Sequence, residues 1–476
     1  MSAENISNGE SSANKTTQFH FIMFWMGQLF SLFGSSVVGY SIFIYFVDLT
    51  KGVAYQGTLF TTVSAVIAIP FTIMLFFTGP IIDRYDRKKI ILIADSVQAF
   101  VTLILACLFI FGILTNDTVQ LTIWVSAGMF LIRNVCQGFH GPSIQAIIPL
   151  MIKKENISRF NGINTFVSSA VQIAAPILAG FIMSVFKLDF TKMLWIDVFT
   201  FLFALIPTIF IKIPSPKSKT EAEPEKKASY REEFKEGFRT IMGFRGFPAL
   251  FLIILVLNTL SAPFNQLAPL FWESVAGGSY ITLMAYNGIF FQAAILLGGG
   301  IMMIRKHWKR KSLLIIGSQY LGIFAWFFMA AAGFFPQYFW FIYIATALTG
   351  LYASIYNTTY QTVFHETVPP EKLGRVFSVD FAISFFLGPI ATLASGPLAD
   401  WLGGGEGIGI GLRNLYSGIA VIALVFMTLM VFFSNYRHVG KDTLEKQLGE
   451  LKINEGAIPA DEKEIEEKSV DSVEPV

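Results

Sequence analysis

Five ionisable residues lie inside otherwise apolar stretches of the sequence, namely Asp95, Arg133, His140, Asp197 and Asp380. Moving a charged side chain from water into an apolar medium is costly, so such residues are functional candidates by default. Burial favours the protonated form of a carboxyl group, which can then bind and release a proton near neutral pH. These residue types therefore indicate reversible proton binding in an apolar environment.

Arg133 and His140 are seven residues apart, which places both on one face of a helix. A fixed positive charge can tune a neighbouring carboxylate, so we take Arg133, Asp95, Asp197 and His140 as proton-coupling candidates. The alternatives are a structural arginine held by hydrogen bonds, a solvated histidine and a structural network around Asp95. The sequence does not identify the carboxylate partner of Arg133 or the carboxylate that carries the proton.

Neutral polar residues also occur within the apolar stretches. Some can line a cavity beside the abundant phenylalanine and methionine side chains, of which the chain has 49 and 15. Such a surface suits bulky, partly apolar small molecules. The substrate-cavity candidates are Gln28, Asn258, Asn265, Gln266, Asn287, Gln292 and Asn357.

The composition requires an apolar solvent for most of the chain. Hydrophobic residues make up 54% of the 476 residues and charged residues only 14%, against roughly 25% charged residues in soluble proteins. A membrane-spanning helix needs about 20 mostly apolar residues. Segments of this kind run at about 19–48, 58–82, 90–114, 119–147, 161–186, 193–212, 247–272, 279–304, 312–335, 338–363, 376–400 and 412–436. We therefore expect an all-α membrane protein with twelve transmembrane helices in two pseudo-symmetric halves of six helices.

Lysine and arginine are concentrated in alternate loops, which indicates the cytoplasmic side of the membrane. Tryptophans fall at the opposite helix ends, where an indole ring suits the outer interface. Both termini are therefore predicted to be cytoplasmic, in a plasma or inner membrane. The basic loop residues are Arg84, Arg87, Lys88, Lys89, Lys153, Lys154, Arg159, Arg305, Lys306, Lys309, Arg310, Lys311, Lys372 and Arg375, and the tryptophans are Trp124, Trp195, Trp272, Trp340 and Trp401.

A stretch rich in Lys, Glu and Pro follows the sixth segment and is typical of a solvated linker. Ser229 and Glu232 then form a capping box, and Phe234, Phe238 and Ile241 repeat at helical spacing. An amphipathic helix on the cytoplasmic membrane surface is expected there. The predicted parts of the chain are a cytoplasmic tail at 1–18, a six-helix half at 19–212, the linker with its helix at 213–246, a second half at 247–436 and a disordered cytoplasmic tail at 437–476.

The turn after the second segment carries the most specific local pattern, GPIIDRYDRKK at residues 79–89. This pattern resembles the signature of the major facilitator superfamily. The form with Asp86, where the family usually has glycine, is similar to the branch of macrolide efflux proteins and related siderophore and lysophospholipid exporters. The resemblance implies a conformational latch that breaks and re-forms during transport. The latch residues that it implies are Gly79, Asp83, Arg84, Arg87 and Asp380. The alternative is that the basic residues only set the topology.

Two further elements resemble this superfamily. Arg133 is similar to the helix-four arginine that is associated with proton coupling. The segment APILAG at residues 175–180, with Pro176 and Gly180, resembles the helix-five element of its antiporters and so favours export. A close helix contact made by small residues is the alternative explanation for that segment.

These observations predict a secondary transporter that exports small amphiphilic or drug-like molecules by proton antiport. An uptake carrier or facilitator, or a lipid or siderophore transporter, is the alternative, and a membrane enzyme or sensor is the least favoured class. No P-loop, metal-binding His/Glu pair or serine nucleophile motif is present in the sequence. The expected partners are a small-molecule substrate, protons and the lipid bilayer, without nucleic acid, cofactor or metal, and we expect a monomer.

Overall fold

The computed structural model describes residues 3–152, 154–185, 189–211, 230–304, 308, 310–368 and 370–439. Within these ranges, the side chains of residues 3–19, 75–77, 79–80, 83–84, 149–150, 154–155, 157–158, 230–231, 233, 370–371, 374, 378, 381 and 385–386 are not described. The predicted linker is therefore described from residue 230 onward, and the predicted C-terminal tail as far as residue 439.

Every regular element in the described ranges is helical. The α-helices are α1 (Ala3–Leu49), α2 (Gln56–Arg84), α3 (Arg87–Ile110), α4 (Val119–Met151), α5 (Lys154–Val185), α6 (Phe190–Phe210), α7 (Tyr230–Gly243), α8 (Phe247–Gln266), α9 (Ala268–Ala276), α10 (Tyr280–Met303), α11 (Lys311–Phe334), α12 (Trp340–Thr367), α13 (Pro370–Phe386), α14 (Gly388–Gly403) and α15 (Ile408–Phe433). Short 3₁₀ turns lie at Gly277–Ser279, Pro336–Tyr338 and Asn435–His438.

Asp86 has a local structural role at the start of α3. Its carboxylate accepts hydrogen bonds from the backbone N–H groups of Lys88 at 2.9 Å and Lys89 at 3.4 Å. An N-cap of this kind satisfies donors that have no partner within the helix and stabilises it by about 1 kcal/mol. The departure from the superfamily pattern at Asp86 thus gives α3 a defined beginning.

Two predicted helices are interrupted. The seventh segment divides into α8 and α9 at Leu267, and the eleventh into α13 and α14 at Leu387. Pro269 and Pro389 stand two residues after these breaks, and a proline supplies no N–H to the turn before it. The apolar segments gave no sign of these interruptions, because hydropathy does not register a missing donor.

Eleven helical stretches among the described residues are long and apolar enough to cross a membrane. The tenth predicted segment is α12, which has 28 residues and is not one of the eleven. At a rise of about 1.5 Å per residue it has the length of a span. Its threonine, tyrosine and asparagine side chains lower its hydropathy, so an apolar window alone misses it.

The helices pack in two groups. In the first group, α1–α6, the pairs α1/α6, α2/α4 and α3/α4 are in contact, and in the second, α8–α15, the pairs α11/α12, α10/α12 and α11/α15. The main contacts that the described residues make between the groups are α2/α14, α5/α10 and α1/α9. The amphipathic helix α7 packs against α13 and α8, with Ile241 buried and Phe234 and Phe238 exposed.

The hydrophobic core differs between the two ends of the molecule. We call the end with the connections 50–55, 111–118, 335–339 and 404–407 the closed end, and the end with 85–86, 244–246 and 434–439 the open end. At the closed end one core contains residues of both groups, such as Val47, Leu59, Trp272 and Leu412. At the open end the described buried residues form two separate cores, one around Phe24 in the first group and one in the second. The described apolar packing therefore joins the groups at the closed end alone.

Candidate functional site

The first of two buried polar layers surrounds Arg133. This arginine layer consists of Ser35, Thr102, Arg133 and Asp197, one residue each from α1, α3, α4 and α6. Arg133 forms an ion pair with Asp197 and also donates a hydrogen bond to Thr102. The second carboxylate oxygen of Asp197 accepts from the Ser35 hydroxyl at 3.1 Å. The carboxylate partner that the sequence left open is therefore Asp197.

The ion pair is enclosed. Arg133 and Asp197 are 5% and 0% exposed, and the rings of Phe130 and Phe201 lie 5.4 and 5.3 Å from the guanidinium carbon. These rings exclude water and stabilise the cation through cation–π attraction. Removing one member of a buried pair leaves the other charge uncompensated, at a cost of about 3–5 kcal/mol. Neutralisation of Asp197 must therefore be accompanied by a change around Arg133.

The second layer surrounds His140. This histidine layer consists of Gln28, Asp95, His140 and Thr208, again one residue each from α1, α3, α4 and α6. The Nε2 atom of His140 lies 2.9 Å from Asp95 Oδ1 and 2.9 Å from Gln28 Oε1. The Gln28 amide donates to Asp95 Oδ2 and to the Thr208 hydroxyl, both at 3.3 Å. His140 is thus part of a buried network.

The two nitrogens of the His140 ring differ in their surroundings. Both neighbours of Nε2 are oxygen atoms, which suits a hydrogen on this nitrogen. Nδ1 is buried and has no hydrogen-bond partner among the described residues. The ring thus has one nitrogen among polar neighbours and one without a described partner.

The two layers are stacked along the same four helices. On α1, α3 and α4 their members are seven residues apart, which is two helical turns or about 10 Å along the axis. The histidine layer is nearer the open end and the arginine layer nearer the middle of the helices. The four predicted coupling candidates therefore occupy two neighbouring buried sites in the first group of helices.

A cavity of about 440 Å³ lies in the second group. Its aromatic lining includes Phe264, Trp272, Phe291 and Trp326, and its polar lining includes amides and threonines. A second cavity of about 290 Å³ adjoins it on the side of the open end and contains Asp380. The residues that line both cavities are Leu257, Asn258, Gln319 and Tyr352.

The predicted cavity residues separate into three sets. Asn258, Asn265 and Asn287 line the larger cavity, and Asn357 lines the smaller one. Gln28 belongs to the histidine layer. Gln266 and Gln292 do not line either of these two described cavities. Four of the seven predicted residues thus line the two described cavities of the second group.

The predicted latch is described only in part, because the side chains of Gly79, Asp83 and Arg84 lie outside the described residues. Arg87 donates from Nη1 to the backbone oxygen of Ala146 at 2.8 Å, within the first group. Asp380 lines the smaller cavity of the second group. The structure therefore does not bring these two described residues together.

Helix α5 meets α10 of the second group at Gly180. A methyl group on Gly180 would stand 3.0 Å from the side chain of Ala285 and 3.4 Å from the backbone oxygen of Ile281. Pro176 lies inside α5, and the helix continues through it. The small-residue segment thus forms a close helix contact between the two groups.

Asp400 on α14 joins the two groups at the closed end. Its carboxylate accepts hydrogen bonds from the backbone N–H of Gly57 at 2.9 Å and from the N–H and hydroxyl of Thr58 at 2.7 and 2.6 Å. These residues begin α2, where N–H groups are unpaired and the helix dipole attracts a negative charge. Lys51 and Glu273 add an ion pair of 2.8 Å between the groups.

Sequence reasoning missed Asp400, although a signal was present. The motif Gly-Pro-x-x-Asp occurs at residues 79–83 near the end of α2 and again at residues 396–400 near the end of α14. Gly396 lies so close to α2 that a methyl group there would stand 2.2 Å from the backbone oxygen of Gly57. The second copy of the motif therefore closes the end of the molecule opposite to the first. Among the side chains that the structure describes, no cluster of three or more His, Cys, Asp or Glu residues could hold a metal ion.

The sequence profile of the Major Facilitator Superfamily matches residues 24–379. The chain therefore belongs to this superfamily, and the helical architecture is its fold. It is a multi-pass membrane transporter of small molecules and not an enzyme.

Several characterised transporters are similar to this chain. Macrolide efflux protein A of Streptococcus pyogenes is 26% identical over 414 residues, which cover 86% of this chain and 95% of that protein. The staphyloferrin A transporter of Staphylococcus aureus is 22% identical over 65% of this chain and 73% of its own length. The chain is thus related to proteins named for macrolide and siderophore transport.

Solved structures support the fold. A D-xylose–proton symporter superimposes with a TM-score of 0.64 at 14% identity, covering 90% of this chain and 99% of its own. A bacterial homologue of the iron transporter ferroportin in an inward-facing state superimposes with a TM-score of 0.62 at 13% identity, covering 88% and 99%. At such identities the likeness shows the architecture alone.

Proposed function

We propose that the protein exports small amphiphilic molecules across the cell membrane in exchange for protons. The observation that carries the proposal is the pair of buried ionisable layers in the first group of helices, beside an aromatic cavity in the second group. Burying a charge lowers the stability of a membrane protein, so buried ionisable groups are functional candidates. Pairs of such groups can bind and release a proton, which is what proton exchange requires. In this proposal the two groups are the halves that rock against each other.

We infer that the open end faces the cytoplasm and that both termini lie there. Arg87, Lys88, Lys311 and Arg375 lie at the open end, as basic residues at the cytoplasmic ends of membrane helices do. The described apolar packing that joins the groups lies at the other end. An exporter in this state receives its substrate from inside the cell.

Proton exchange in this proposal uses both layers. A proton on Asp197 removes the charge that holds Arg133, which frees the arginine to move with its helix. Nδ1 of His140 is the second place where a proton can bind without breaking a described hydrogen bond. Rocking of the halves exposes these groups to each side in turn, and the pH gradient then drives export.

Two contacts between the halves, one at each end, control which end is open. We call them reciprocal caps, because in each of them an aspartate of one half meets the beginning of a helix in the other half. Asp400 holds the closed end through the start of α2. The family resemblance assigns Asp83 the corresponding contact with the helix of the second half at the other end. Because α2 and α14 run in opposite directions, the motif of α14 lies at the beginning of α2, and in this proposal the motif of α2 meets the beginning of α13 when the other end closes. Only one of the two caps is made in each state.

The direction of transport is supported by the relatives named macrolide efflux proteins and by the antiporter-like segment of α5. Uptake is the rival, because similarly folded proteins include a D-xylose–proton symporter and the nucleoside transporter NupG. Inverted membrane vesicles that hold the protein decide between them. On acidification of the vesicle lumen, we expect accumulation of at least one compound from a panel of drugs, siderophores and lysolipids, abolished by a protonophore.

The control is the same vesicle preparation with Arg133→Gln. Export without dependence on the pH gradient would contradict antiport. Accumulation only in right-side-out vesicles would contradict export and favour uptake.

A further inference from the structure

Asp380 is a carboxylate whose described polar neighbours within its own half are hydroxyl groups. Ser384 donates to it at 3.4 Å, and the hydroxyl of Tyr360 lies beside it. No described lysine, arginine or histidine is within ion-pair distance of Asp380. Arg375, five residues earlier on α13, is engaged by Glu236 of α7. A carboxylate in a membrane helix without a described cation attracts a positively charged group that enters the cavity beside it.

A row of tyrosines borders the same cavity. Tyr352, Tyr356 and Tyr360 follow one another at intervals of four residues along one face of α12, with ring centroids 5.5 and 5.4 Å apart. Each of them lines the smaller cavity together with Asp380. Tyrosine rings attract cations through their faces.

Tyr356 adds an unused polar group. It is 9% exposed, and its hydroxyl is buried without a hydrogen-bond partner among the described residues. Buried hydroxyl groups normally have a partner, and one that lines a cavity can find it in a ligand.

The larger cavity supplies an apolar extension away from Asp380. Its walls include Phe264 stacked on Trp326 at 4.9 Å, and Met329, which belongs to the core of the closed end. The two adjoining cavities thus run from a negative, tyrosine-lined chamber to an apolar, aromatic one. A molecule that fits both has a charged head and a bulky apolar body.

We propose that Asp380 and the tyrosines of α12 bind the positively charged group of the substrate, and that the protein carries lipophilic cations and protonated lipophilic amines. This inference rests on the proposed function, and it selects cations from the wider class of amphiphiles. The carboxylate repels anionic substrates from the same chamber, which disfavours acidic siderophores.

The test uses two probes of the same shape and opposite charge, tetraphenylphosphonium and tetraphenylborate, bound to the purified full-length protein in detergent. Wild-type protein should bind the phosphonium ion more tightly than the borate. Asp380→Asn should weaken phosphonium binding by roughly tenfold or more, as loss of a charge-assisted contact does, and leave borate binding equal or stronger. Asp117→Asn removes a negative charge from an exposed loop and should change neither affinity.

Two variants of Tyr356 separate its ring from its hydroxyl. Tyr356→Phe keeps the ring face and should retain most of the phosphonium affinity, whereas Tyr356→Leu should lose several-fold. Thermal unfolding of each variant verifies that the fold is kept. Equal phosphonium affinity in wild type and Asp380→Asn, or no preference for the cation in wild type, overturns the inference.

Binding in detergent requires no transport, so the two proposals fail separately. Charge-selective binding without export in vesicles would contradict the proposed function and leave the cation site standing. Export of neutral compounds at equal rates by wild type and Asp380→Asn, without phosphonium binding, would contradict the cation site alone.

Discussion

Asp400→Asn should move the protein away from the state that is closed at the Asp400 end. The carboxylate accepts three hydrogen bonds from the first turn of α2, at 2.9, 2.7 and 2.6 Å. Asparagine keeps one acceptor oxygen, but its NH₂ group would face N–H and O–H donors of Thr58. The contact would lose its charge and part of its hydrogen bonding.

The size of the effect follows from these contacts. Hydrogen bonds to a charged group contribute about 1.5–3 kcal/mol each, and the helix dipole adds less than about 1 kcal/mol. Because Asp400 is half-buried and water can replace part of what is lost, we expect a net cost of about 2 kcal/mol. This corresponds to a shift of about 30-fold in the ratio of the two conformations.

Distances between two spin labels measure this shift. Ile113 in the first group and Tyr338 in the second are exposed at the closed end, so labels there report its opening. The labels require a background in which Cys107 and Cys136 are replaced by alanine. Asp400→Asn should populate a longer distance in purified protein at neutral pH.

Asp189→Asn is the matched control. Asp189 caps α6 by accepting from the backbone N–H of Thr191 at 3.1 Å, within the first group. Its loss should lower stability without changing the distance between the groups. If Asp400→Asn leaves the distance distribution of the wild type unchanged, the reciprocal-cap argument is refuted.

Three further changes have defined outcomes. Arg133→Gln should abolish accumulation driven by a pH gradient and lower the unfolding temperature. The reason is that Asp197 is left as an unpaired buried charge, at a cost of about 3–5 kcal/mol. Transport at the wild-type rate would show that the arginine has a structural role only. Gly396→Ala should open the closed end in the same label assay, since its methyl group would stand 2.2 Å from a facing backbone oxygen; an unchanged distance would show that α2 and α14 can adjust. Lys51→Gln should have little effect, less than about 1 kcal/mol, because the lysine side of its pair with Glu273 is exposed to water. The hydrogen bond and charge of Glu273 raise the pKa of Lys51, so this pair is intact at neutral pH and is lost only as pH rises above about 10.5. Closed-end distances that change between pH 6 and 8 in wild type but not in Lys51→Gln would contradict this.

The sequence was sufficient for the helical architecture and for singling out the four ionisable residues of the buried layers in the first group. A membrane span must be apolar over consecutive residues, so it can be recognised from the local sequence alone. The seven-residue spacing of Arg133 and His140 likewise required only helical geometry. The breaks at Leu267 and Leu387 were missed because a proline inside an apolar run can bend a helix, end it or leave it intact. In α5 the helix continues through its proline.

Long-range contacts were beyond the sequence. Asp197 is 64 residues from Arg133, and the choice among the three candidate carboxylates depends on how α3, α4, α6 and α13 pack. Asp400 and Gly57 are 343 residues apart. Only the repeated Gly-Pro-x-x-Asp motif linked the two ends in sequence, and its meaning required the antiparallel arrangement of α2 and α14.

The buried layers and the described cavities lie in different groups of helices, and this separation has an evolutionary consequence. Substitutions that reshape the cavity around Trp326 or Tyr352 do not touch the side chains that we propose to bind protons, so in this proposal the range of molecules handled can drift while the energy source is inherited unchanged. A lineage exposed to a new toxic compound can adapt through changes in the second group alone. Recombination that exchanges this part of the gene would then transfer a recognition profile as a unit, and a chimaeric protein should recognise what the donor of its second group recognises.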